Sequence, residues 1–101
     1  MILLATPAGV VALDGGPRMQ LPHVHPDGHI VFGEWELVNV EARDARTLRY
    51  LQRRCLSSRP VHVAFDRGAS SYAGTAFVLN APVTLGGEVM TLRGSGALRF
   101  L

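Results

Sequence analysis

Val61-His62-Val63-Ala64-Phe65-Asp66 is the stretch from which the fold is read. Val61, Val63 and Phe65 alternate with His62, Ala64 and Asp66. That period of two puts one set of side chains on each face of a strand. Arg67-Gly68-Ala69-Ser70-Ser71 follows as a turn, and Tyr72 to Leu85 is a long apolar stretch interrupted at Asn80-Ala81-Pro82. Gly86-Gly87 turns the chain, and Glu88 to Leu101 runs on from there. In this last segment Met90, Leu92, Leu98 and Phe100 share one parity, and Thr91, Arg93, Ser95 and Arg99 the other. One buried face and one wet or contacted face are expected.

On the N-terminal side of Val61 the period changes. Leu48, Leu51 and Cys55 stand at i, i+3 and i+7, which predicts a helix over 44–56 with a narrow apolar stripe. Asp44 is its expected N-cap, since a carboxylate there accepts a free backbone N–H of the first turn. Ser57-Ser58-Arg59-Pro60 ends it, because proline cannot continue a helix and restricts the residue before it. Upstream, Glu34 to Glu41 reads as a strand with Trp35 and Leu37 on one face and Glu34 and Glu36 on the other. Its pattern slips near Val38, where a bulge or twist is expected. Residues 18–32 are expected to form an extended hairpin or loop with Pro26-Asp27-Gly28 at its tip. Asp14-Gly15-Gly16-Pro17 reads as a break, so that 15–32 is one extended segment. Residues 1–14 read as a strand, a Thr6-Pro7-Ala8-Gly9 turn and a second strand over Val10 to Leu13.

The fold class is therefore mainly β: one domain over 1–101, an antiparallel sandwich or barrel of about seven strands with one flanking helix. Composition agrees. The chain has 101 residues, 48% apolar, 18% charged, with 11 glycines, which suits a turn-rich β protein. No apolar run approaches the roughly 20 residues that a membrane-spanning helix needs, so no membrane partner is expected. The single cysteine, Cys55, excludes a disulfide framework and a cysteine-only zinc site. The opening residues lack a basic segment and a long apolar run, so no signal peptide is expected and the expected compartment is a reducing cytosol.

The net charge of +2 is no argument for nucleic-acid binding. Its distribution says more. All ten basic residues are arginine, and six of them fall between Arg43 and Arg59. Arg43, Arg46, Arg49, Arg53 and Arg54 lie opposite the apolar stripe of the helix, with Tyr50 among them. Tyrosine and arginine are enriched in interface hot spots, so Arg46, Arg49, Tyr50 and Arg53, with the hairpin tip, are expected at a subunit interface. The other reading of the same face is an adaptor that grips a partner's carboxylates or phosphates.

No catalytic set stands out, and no enzyme activity or cofactor is expected. Glu34 and Glu36 share a strand face, yet a solvated or interface-facing strand explains them better than acid–base chemistry. His23, His25 and His29 form a His-x-His-x-x-x-His order that can present imidazoles to one metal. It is similar to the first metal motif of cupins, which are also small β-barrels. It departs from that motif in that the first glutamate after it is Glu34 and no histidine follows His62. A polar hairpin tip that tolerates histidine is the preferred reading, and a cupin-like metal-binding barrel the alternative.

A second resemblance covers about residues 33–101. Tyr72-Ala73-Gly74-Thr75-Ala76-Phe77-Val78, then Gly87-Glu88-Val89-Met90-Thr91-Leu92, then Gly94-Ser95-Gly96-Ala97-Leu98 resembles the end of the major tail (tail tube) proteins of long-tailed bacteriophages. The preceding order of strand, single helix and strand fits as well. The resemblance implies a structural virion protein, assembled in the bacterial host cytoplasm, whose copies form stacked hexameric rings. Those rings form a conduit through which DNA passes without being held. It implies copies of the chain and other tail proteins as partners. The arginine face would then point outward or at a neighbour, and Glu34, Glu36 or Glu88 would face the lumen.

Overall fold

The computed structural model describes residues 1–19, 23–24, 30–31 and 34–101. Among the described residues there are nine strands and one helix: β1 (Ile2–Thr6), β2 (Gly9–Met19), β3 (His23–Val24), β4 (Ile30–Val31), β5 (Trp35–Glu41), α1 (Ala45–Ser57), β6 (Val61–Arg67), β7 (Ser70–Val78), β8 (Met90–Gly94) and β9 (Arg99–Phe100). Six strands, in the order β6-β1-β2-β5-β8-β7, close into an antiparallel barrel through the β6–β7 pairing, and β9 lies outside on β7. The expected sandwich or barrel is thus a barrel.

Alternation fills it. Ile2 and Leu4, Leu13, Trp35 and Leu37, Val61, Val63 and Phe65, Ala76 and Val78, and Met90 and Leu92 point inward and are buried. Six strands leave an interior that side chains alone occupy. The N-cap is as read from the sequence: the Thr47 amide donates to the Asp44 carboxylate at 2.8 Å. That bond holds the Asp44 carboxyl below its usual range. Leu48 and Leu51 join the core while Cys55 is only half-buried. The helix ends at Ser58, in a left-handed conformation, with its amide turned back to Arg54 and Cys55.

One interior contact recurs across three strands. The Trp35 indole lies over Gly94, where any Cβ would overlap the ring, and against Gly74, whose Cβ would stand 3.1 Å from it. Its Nε1 donates to the Gly96 carbonyl at 3.0 Å. Ser95 donates to the Thr75 carbonyl at 2.8 Å, and the Thr75 hydroxyl donates back to the Ser95 carbonyl at 3.1 Å. The chain thus bulges between β8 and β9 while staying attached to β7.

Four readings need correction. Asp14 to Pro17 is no break: β2 runs through it, pairing Asp14 with Glu41 and Gly16 with Val38, so that Gly15 faces a bulge of Asn39 and Val40 on β5. Gly15 has φ +126, and a side chain there would strike the Val38 carbonyl, so glycine lets β2 pass the bulged strand without leaving the sheet. The extended 15–32 segment therefore begins only after Met19. Second, the apolar stretch from Tyr72 leaves the sheet at Val78, and 79–89 is a loop. Third, Glu88 to Leu101 is two short strands on either side of the Gly94–Leu98 bulge, not one run. Fourth, Phe100 keeps its parity, facing Tyr72 across the β7–β9 pairing, yet it is not buried, because β9 lies outside the barrel. Phe100 is 46% exposed, with its ring 5.1 Å from Tyr72. The slip near Val38 is real: Asn39 has φ 55, and the β5–β8 register shifts between Leu37 and Val40.

Two substitution pairs test this packing by urea denaturation. Gly94→Ala should cost about 1–3 kcal/mol through overpacking against the indole. Gly16→Ala, with ordinary φ and nothing within 4 Å, should change stability by less than about 0.5 kcal/mol. Leu51→Ala should cost about 2–5 kcal/mol, and exposed Arg49→Ala under about 0.5 kcal/mol. Equal losses within either pair would contradict the packing described.

Candidate functional site

The antiparallel registers set the two ends of the barrel apart. At one end lie the β1–β2 turn, the last residues of β5 and β7 and the first residues of β6 and β8. Helix α1 sits at this end, with the β1–β2 turn on one flank and the 79–89 loop on the other. Trp35, Gly94 and Arg67 mark the opposite end.

Between α1 and the β1–β2 turn runs an open groove of about 1130 Å³. Pro7, Ala8, Val11 and Tyr50 supply its apolar surface, and Arg46, Arg53, Arg54 and Arg59 its charge. Among the described residues Asp44 is the only carboxylate lining it, and that group is engaged in capping the helix. Among the described residues Arg46, Arg49, Arg53, Arg54 and Arg59 form no ion pair. The groove therefore concentrates positive charge on an apolar floor. Such an arrangement takes carboxylates or phosphates.

Sequence reasoning found much of this surface and misplaced some of its members. Arg46, Arg49 and Arg53 are exposed, as expected of an interface face. Arg49 does not line the groove, whereas Arg59, beyond the helix, does. Tyr50 does not stand out among the arginines: it is half-buried against the core, with the Arg54 guanidinium 5.2 Å above its ring. Arg43 is not part of the free charge, because it pairs with Asp14 at 2.8 Å. The contribution of Pro7, Ala8 and Val11 was missed, because their meeting with the helix depends on barrel closure.

The carboxylates expected on a lumen side do not form one surface. Glu34 and Glu36 lie at the Trp35 end, beside a smaller hollow of about 330 Å³. Glu36 is not without basic neighbours, since Arg18 bonds it at 2.6 Å and Arg93 approaches to 3.9 Å. Arg18 and Arg93 come to it from neighbouring strands, a pairing invisible in sequence. Glu88 lies at the other end, near Glu41 and Leu48.

Pro26, Asp27, Gly28, His25 and His29 lie outside the described residues, and His23 is described only as backbone in β3. Among the described residues no group of histidine, cysteine, aspartate or glutamate is placed to hold a metal. No described helix is long and apolar enough to cross a membrane.

The fold and surface thus define a small closed β-barrel with a helix packed at one end and an arginine-rich groove beside that helix. The chain matches no protein-family model, no curated protein and no solved structure.

The cap beneath the groove gives a pH prediction. The folded Asp44 carboxyl titrates below its unfolded value, which is near 3.9. Its contribution is fully present above about pH 4 and fades as pH falls through the lower folded value. Asp44→Ala should lower the urea midpoint at pH 7, and this deficit should shrink as the pH is lowered below 4. A deficit unchanged from pH 7 to pH 2.5 would contradict the capping role.

Proposed function

We propose that this chain is a self-assembling structural subunit of a virion, a tail tube or related tail ring component of a long-tailed bacteriophage. The observation that carries the reading is the β3–β4 pair. Its partners, His23↔Val31 and Val24↔Ile30, are in register with Met19↔Trp35 of the barrel, with three residues between on each strand. The six barrel strands close on one another, and among the described residues the body adds only the two-residue β9, paired on one side with β7, as an open edge. Among the described residues β3 and β4 pair only with each other. Each so keeps an edge open to a strand of another molecule, which is how strand addition works.

The resemblance of residues 72–98 to tail tube proteins supports the same reading. So does the arginine groove, a second surface built for a charged partner. Copies of the chain stack through the hairpin into rings and a tube, other tail proteins meet the tube ends, and DNA passes without being held. Arginines gripping phosphate would slow that passage. The arginine groove therefore faces a neighbouring subunit or the tube exterior. Glu34 stays a candidate for the lumen side, while Glu36 is neutralised and Glu88 lies at the other end of the barrel. The cupin-like alternative is weaker, since apolar side chains fill the barrel and His23 lies beyond its strands.

Deleting residues 23–29 tests the reading. The barrel should stay folded, with an unchanged urea transition, and elute as a monomer at concentrations where the intact chain elutes as an oligomer. If the deletion variant assembles as well as the intact chain, or if the intact chain stays monomeric at millimolar concentration, the reading fails.

A further inference from the structure

We propose that the 79–89 loop of one copy seats in the arginine groove of the next copy, a head-to-tail contact between neighbours. The inference rests on reading the chain as a self-assembling subunit and adds which surfaces meet.

The loop is unusual in what it holds outward. Val83 is 89% exposed, and Leu79, Leu85 and Val89 are between 42% and 48% exposed. These side chains do not sit on a slack segment. Gln52 of α1 donates to the Pro82 carbonyl at 2.7 Å and the Val83 carbonyl at 3.2 Å. Asn80 bridges the two limbs, donating to the Val89 carbonyl at 3.3 Å and accepting from the Thr91 amide at 3.2 Å. The Gly87 amide closes the tip on the Thr84 carbonyl. Only about 10 Å³ is left between the loop and Leu48 and Met90, no more than one water needs. The loop is thus fixed before anything binds it, so little ordering cost remains for association.

Its chemistry complements the groove. Glu88 on the loop and Glu41 beside it are exposed, and among the described residues neither forms an ion pair. The groove holds four arginines that, among the described residues, form no salt bridge either, over an apolar floor of Val11 and Tyr50. An apolar centre rimmed by complementary charge is the usual anatomy of a protein–protein interface. A bare phosphate backbone would use the arginines and leave the apolar floor unfilled. The two surfaces flank α1 on opposite sides, so one molecule cannot satisfy itself. Each copy offers a loop to one neighbour and a groove to another, a heterologous contact that closes into a ring when its rotation permits.

The experiment uses the intact chain with two substitutions at exposed positions, Arg53→Glu in the groove and Val83→Asp in the loop. Circular dichroism and the urea transition confirm folding, and sedimentation velocity reads assembly. Each variant alone should need at least tenfold higher concentration to assemble, and wild-type assembly should weaken from 50 mM to 500 mM salt. Mixing the two should assemble at lower concentration than either variant alone, because one intact loop and one intact groove remain per pair. Wild-type assembly with both variants assembling equally well overturns this contact and leaves the hairpin reading standing. A wild-type chain that never assembles overturns both. Unchanged assembly, with Arg53→Glu abolishing retention of a duplex oligonucleotide, would assign the groove to nucleic acid instead.

Discussion

Trp35 is the contact on which the barrel depends. Its indole lies against two glycines and reaches the carbonyl of a third, on a neighbouring strand and the bulge that follows it. Burying so large a ring removes a great deal of apolar surface from water, and its one polar atom is satisfied at 3.0 Å. The indole touches Gly74 of β7 and Gly94 of β8 from its place on β5. Phe65, 5.6 Å from its centroid, extends the cluster to β6. The packing therefore joins four of the six barrel strands. With the barrel closed, the edge left to the body of the molecule among the described residues is that of the two-residue β9. Assembly must then use what projects from it.

The glycine-rich fragments Tyr72–Val78 and Gly94–Leu98 are the walls of this slot. Gly74 lies in the first fragment, and Gly94, Gly96 and buried Leu98 in the last. A Cβ at Gly74 would stand 2.9 Å from Leu98 as well as close to the indole. Gly74 and Gly94 are small because the tryptophan, and at Gly74 also Leu98, occupies the space beside them. These fragments thus serve barrel construction. The surfaces proposed to meet other molecules are made by different residues: the hairpin, the groove and the 79–89 loop.

What could be read from the sequence follows from how local each feature is. Strand alternation at Val61–Asp66, the helix with its Asp44 cap, and the opposed faces of Trp35 and Glu36 all depend on neighbours within a few residues. Features made by distant residues were misread. Gly15 reads as a break until β5 supplies the Val38 carbonyl that crowds it. Phe100 keeps its parity but stays exposed, because β9 lies outside the closed barrel. Glu36 looks unpartnered because Arg18 and Arg93 come from other strands. The arginine surface was half legible: a helical wheel gives Arg46 and Arg53, but only barrel closure brings Val11 and the β1–β2 turn against them. The 79–89 loop was read as apolar chain and its outward side chains were not foreseen. Their exposure depends on the Gln52 and Asn80 bonds that fix the backbone.

The central claim is that a closed, well-packed barrel carries separate surfaces for its own copies. Negative-stain electron microscopy of the concentrated, purified chain tests it most directly. Rings with a central opening, stacked into short tubes as concentration rises, are the predicted result. A field of separate particles of monomer size at every concentration would contradict it.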